Sequence, residues 1–117
     1  MLIAAVLMSG ALQAAAPDAS ARNWDAGDSA VQFVEGTTSP GIRALVPTGP
    51  VSISVRCTIE IDGSLSGCSV VAESEPHKLD HSSARREVGR MRLELGGTGP
   101  RPGDTLTVEA VVTGKRR

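Results

Sequence analysis

The chain has 117 residues and a net charge of −1, and Trp24 and Phe33 are its only aromatic residues. That length suits one small domain, whose core must come from Val, Ile, Leu, Ala and Met, and the near-neutral balance argues against a general nucleic-acid or polyanion binder. The charge is unevenly placed: residues 1–77 carry three basic and eight acidic side chains, residues 78–117 nine and five, so the C-terminal part is mildly basic.

Met1 to Ala16 are small and apolar, carry no charge and run into Pro17. The stretch reads as a signal peptide or hydrophobic leader. It is shorter than the ~20 residues of a comfortable membrane span. Its alanines offer a small-residue cleavage site, with a cut after Ala14 keeping proline away from the next position. The basic residues that usually open such a signal do not precede Arg22. The expectation is export, with a membrane anchor if the leader is not cleaved.

Residues 17–50 form a Pro/Gly/Ser-rich arm that disfavours regular structure. Trp24 and Phe33 are its expected anchors onto the folded part, because large side chains gain most from burial. Ser39 to Leu45 is expected to form a short helical turn.

From Val51 the pattern changes. Ile53, Val55, Cys57, Ile59 and Ile61 recur at period two on one face, with Ser52, Ser54, Arg56, Thr58 and Glu60 on the other, which predicts a half-buried strand. Asp62-Gly63 follows, a strong hairpin turn signal. A second strand is expected over about 64–73. Strict alternation would put Leu65 and Cys68 on opposite faces, so the sequence asks for one extra residue. A β-bulge at Ser66-Gly67 sets Leu65 opposite Ile59 and Cys68 opposite Cys57. In an exported chain this predicts a Cys57–Cys68 disulfide, the other reading being two buried free thiols.

Leu79 to Arg92 turns helical, with Ala84, Val88 and Met91 on one stripe and Arg85, Arg86, Glu87, Arg90 and Arg92 on the other side. Asp80 is the expected N-cap, with Leu79 just outside the helix. Gly89 lies off the apolar stripe, and the glycine and proline run 96–103 ends the region. A last strand over about Thr105 to Thr113 alternates Leu106, Val108, Ala110 and Val112 against Thr105, Thr107, Glu109 and Val111. The predicted fold is α+β, a ββαβ unit with a three-stranded, mostly antiparallel sheet, one helix on one face, strand order 2-1-3 and two exposed edges.

The stretch from about Pro40 to Val112, with the domain itself placed at 51–114, resembles the C-terminal domain of TonB-type energy transducers, in an exported stand-alone version with a cysteine pair. The resemblance implies the periplasm of a Gram-negative-type envelope or, if the leader is not cleaved, its inner membrane. The resemblance is carried by Val51-Ser-Ile-Ser-Val-Arg-Cys-Thr-Ile59, by Asp62-Gly63 with Leu65, Cys68 and Val70, by Glu73-Ser74, by Leu79-Asp80 with Ser83-Ala84, and by Met91-Arg92-Leu93. Ser39-Pro40 stands where the family often has Tyr-Pro, and Leu93-Glu94-Leu95-Gly96 where it often has an aromatic residue near a proline. The membrane helix and long proline-rich spacer of a full transducer have no counterpart in this sequence. What the resemblance implies is the binding half: an outer-membrane receptor or its peptide segment adding to a sheet edge. By analogy the partner-binding strand is Thr105, Leu106, Thr107, Val108, Glu109, Ala110, Val111 and Val112. The alternative is an envelope-associated structural protein that lays its basic helix face on an anionic surface.

Other chemistry is weakly signalled. His77 and His81 are four apart, the spacing of two metal ligands on a helix, but Pro76 opposes a helix that early, and a solvated polar turn is the plainer reading. The glycine run lacks the Lys-Ser/Thr of a phosphate loop, and no nucleophile elbow is present. No enzyme activity, cofactor, metal or nucleic-acid partner is expected.

Overall fold

The computed structural model describes residues 21–114; the leader at 1–16 and the basic tail at 115–117 lie outside the described residues. The elements in chain order are β1 (Asn23–Asp25), β2 (Thr48–Ile59), β3 (Leu65–Glu73), α1 (His81–Gly89) and β4 (Thr105–Gly114). They form a four-stranded sheet in the order β1-β4-β2-β3, with β2 antiparallel to both β3 and β4. The α+β class and the inner order β3-β2-β4 match the expectation. The three-stranded sheet does not: β1, from the arm, adds a fourth strand parallel to β4.

The alternation along β2 puts Val51, Ile53, Val55, Cys57 and Ile59 into the core with Leu65, Leu106 and Val108. Each such aliphatic side chain contributes ~1.5–3 kcal/mol on full burial. Ile61, expected on the same face, is instead 84% exposed, because it sits in the turn beyond the end of β2.

At that turn Gly63 has φ +85°. Its carbonyl accepts the Leu93 N–H at 2.9 Å. Ser64 donates to Asp62 Oδ1 through its hydroxyl (2.6 Å) and its N–H (3.0 Å), and Arg92 reaches Asp62 Oδ2 at 3.1 Å. Those hydrogen bonds, aided by the Arg92 charge, hold the Asp62 carboxyl below its usual range.

Cys57 and Cys68 form the predicted disulfide, with Cα atoms 4.1 Å apart. Leu65 pairs with Ile59 as expected. The bulge lies one residue later than predicted: Arg56 pairs with Ser69 and Thr58 with Ser66, so Gly67 and Cys68 together oppose Cys57. Gly67, at φ +59°, supplies the left-handed residue that lets β3 take the extra position. A second register shift leaves Val71 unpaired between the Ser54–Ala72 and Val55–Val70 pairs.

Helix α1 is shorter than its periodicity suggested. Asp80 caps it, its carboxylate accepting the Ser82 and Ser83 N–H groups. The cap is locked in place: Asp80 donates its N–H to the Arg43 carbonyl, and the Ser83 hydroxyl accepts the Arg43 N–H at 2.9 Å. Residues 39–45 do not form the helical turn expected: they hold no helix, and Ala44 bridges to Leu79. The helix ends at Gly89. Met91 and Leu93 are still buried, but Arg92 bridges to Ser64 and Leu93 to Phe33, so this stretch is drawn into strand-like pairing.

Candidate functional site: the outer edge of β4

Strand β4 exposes two kinds of backbone. Thr105 N–H donates to the Arg22 carbonyl and the Thr107 carbonyl accepts the Ala26 N–H, both at 2.9 Å, so odd-numbered residues direct their main-chain groups away from β2. The unbroken register from Val51–Val112 to Thr58–Thr105 assigns the even-numbered residues to the β2 ladder.

β1 pairs with β4 only from Asn23–Thr105 to Asp25–Thr107. Past Thr107 the outward N–H and C=O groups of Glu109 and Val111 have no main-chain partner among the described residues. Both residues are exposed, Val111 by 68%. The predicted partner strand Thr105–Val112 is therefore divided. Thr105, Leu106 and Thr107 are covered by β1, whereas Val108, Glu109, Ala110, Val111 and Val112 border the open edge.

What holds β1 on β4 is a cluster centred on Asp104, a residue only 5% exposed. Its Oδ2 accepts the Trp24 indole N–H at 2.8 Å and the Arg101 N–H at 3.1 Å, and its Oδ1 accepts the Arg22 N–H at 3.0 Å. Burial alone would raise the Asp104 pKa, but these hydrogen bonds and the Arg101 charge outweigh it and hold the carboxyl below its usual value. Trp24 is 6% exposed and registers with Leu106 on the core face. On the other face Asn23 Oδ1 accepts from the Thr105 and Thr107 hydroxyls at 2.8 and 3.1 Å.

The opposite edge of the sheet is less regular. β3 is bent by its two register shifts, and His81 at the start of α1 lies 3.0 Å from Glu73 at the end of β3. Such irregularities blunt an edge against strand addition. The sheet face away from α1 is polar, with Ser52, Ser54 and Thr58 half-buried, and Arg56 donating to the Thr107 hydroxyl at 3.2 Å.

On the helix, Arg86 and Arg90 both lie near Glu87, at 3.8 and 3.3 Å, and Arg92 is paired with Asp62, so three of the four arginines of the basic face already have an acidic neighbour. His77 is exposed at φ +66° in the loop before α1. Among the described residues no three His, Cys, Asp or Glu side chains come together as metal ligands, and no helix is long and apolar enough to cross a membrane.

Sequence reasoning missed Asp104 and the strand role of residues 23–25. The available signal was a lone tryptophan in a polar arm and a lone carboxylate directly before a strand. Neither points to the other across eighty positions.

Compared with protein-family models, curated proteins and solved structures, the chain matches none of them.

Proposed function

We propose that this chain is a periplasmic protein-interaction module, similar in kind to the C-terminal domain of TonB-type transducers, that takes up an extended peptide or a partner's sheet edge on β4. One observation carries the reading: the outward main-chain groups of Glu109 and Val111 continue the line of β1 and have no main-chain partner among the described residues. Main-chain hydrogen bonds along such an edge supply affinity, and alternate side chains supply selectivity. The disulfide and the polar outer face are consistent with an exported domain of this type. An outer-membrane receptor segment is the partner that the motif resemblance suggests.

The test is an NMR titration of the oxidised protein with extended receptor-type peptides. Amide shifts should concentrate at Glu109 and Val111. Val111→Pro removes an outward N–H without touching the β2 ladder, so it should abolish the response while leaving the circular dichroism spectrum intact. Shifts confined to the arginine face of α1, or a response unchanged in the proline variant, would remove the edge from consideration.

A further inference from the structure

At the other end of β1 a second feature stands apart from the open edge. Arg22, Trp24, Thr98 and Arg101 border a cleft of about 350 Å3, closed on one side by the loop through Gly97 and Gly99. Asp104 also borders it, but its two oxygens are already committed to three N–H donors. Neither Arg22 nor Arg101 has a carboxylate within ion-pair distance among the described residues. Among the described residues two guanidinium groups thus stand against one engaged carboxylate, so this lining is net positive.

The donors are held in place. The Arg22 guanidinium lies 4.2 Å from the centre of the Trp24 ring, and that ring is fixed by its hydrogen bond to Asp104. A stacked guanidinium loses less freedom on binding than a free one. In the loop, Gly96 and Gly97 take φ values of +131° and +65°. The N–H groups of Gly97, Thr98 and Gly99 make no main-chain hydrogen bond to the described residues. Successive amides beside a left-handed residue form a concave set of donors suited to an anion.

We infer that this cleft binds a phosphate-type oxyanion, with Arg22 and Arg101 carrying the charge recognition and the Gly97–Gly99 amides and the Thr98 hydroxyl serving as additional donors. Two guanidinium forks plus loop amides offer more donors than the two oxygens of a carboxylate accept. A phosphate monoester, with three free oxygens and a charge between about −1.5 and −2 near neutral pH, matches them better. The site does not depend on strand addition at β4.

Trp24 is the only tryptophan, so its fluorescence reads the cleft directly. The oxidised full chain is titrated with inorganic phosphate at constant ionic strength, alongside acetate, and the Gly97–Gly99 amides are followed by NMR as a second readout. In a parallel arm the protein is sedimented with phosphatidic acid vesicles and with phosphatidylcholine vesicles. A saturable phosphate response, weakened at least ~tenfold by Arg22→Gln and by Arg101→Gln but not by Arg85→Gln on the helix, supports the site; tenfold corresponds to ~1.4 kcal/mol. Binding to phosphatidic acid alone, lost in the same two variants, also supports it and names a lipid headgroup as the source. The inference is overturned if neither arm shows saturable binding, if acetate is bound as well as phosphate, or if the helix variant weakens binding as much as the cleft variants do.

Discussion

Replacing Asp104 by alanine removes the acceptor that ties the arm to the sheet. The Trp24 indole N–H is then left buried without a partner, at a cost of ~1–3 kcal/mol. The Arg22 and Arg101 main-chain donors lie in part-buried positions and can turn to water, so they add less. Together the loss should be about 3 kcal/mol for Asp104→Ala, and ~1–2 kcal/mol for Asp104→Asn, which keeps one carbonyl oxygen but loses the charge. Because β1 is only three residues long, the loss should appear first as release of β1, before the rest of the sheet unfolds. Urea titrations followed by Trp24 fluorescence and by far-UV circular dichroism separate the two events. The fluorescence midpoint should fall well below the dichroism midpoint in Asp104→Ala and coincide with it in the parent protein.

The same carboxylate gives a pH signature. Its folded pKa lies below the unfolded value. Its stabilisation is therefore present in full above the unfolded pKa of ~3.9 and is lost as pH falls through the folded pKa. Trp24 emission should hold steady from neutral pH down to about 4 and change below it. In Asp104→Asn this acid step should be absent. Unchanged Trp24 emission and an unchanged urea midpoint in Asp104→Ala would refute the argument that Asp104 anchors β1.

Two further substitutions probe the scaffold. A Cβ on Gly63 would overlap the Leu93 carbonyl oxygen in a residue at φ +85°, so Gly63→Ala should destabilise by about 3 kcal/mol in urea unfolding, combining left-handed strain with loss of the Leu93–Gly63 hydrogen bond. Gly89 is the opposite case: an added Cβ would lie 3.8 Å from the Cys68 sulfur, an ordinary contact, so Gly89→Ala should raise stability by ~0.5–1 kcal/mol, and a lowered midpoint would show that the helix end cannot accept the methyl group.

The parts of the fold written in local chemistry were legible in the sequence. Alternation fixed the inward face of β2 as far as Ile59, Asp80 marked the start of α1, and the cysteine spacing required a bulge whose position was off by one residue. That shift turns on Gly67 adopting a left-handed conformation, which alternation alone does not locate. The period through Met91 described which side chains are buried but not the end of the helix, because pairing of Leu93 with Gly63 and Phe33 overrides it. Strand β1 was not legible, since Asn-Trp-Asp has no periodicity of its own and is placed by Asp104 and Leu106, some eighty residues away. The candidate site was half legible for that reason. β4 was identified as an edge strand, but its division at Thr107 follows from β1.

The open portion of β4 has a bearing on how the protein behaves at high concentration. Val108-Glu109-Ala110-Val111-Val112 is a run of strand residues interrupted by a single charge. The outward main-chain groups of Glu109 and Val111, without a main-chain partner among the described residues, are a template for another strand, including that of a neighbouring copy. Glu109 should oppose such pairing, because like strands in parallel register would bring its carboxylates together. Neutralising that one side chain should leave the fold intact and lower the concentration at which the protein aggregates.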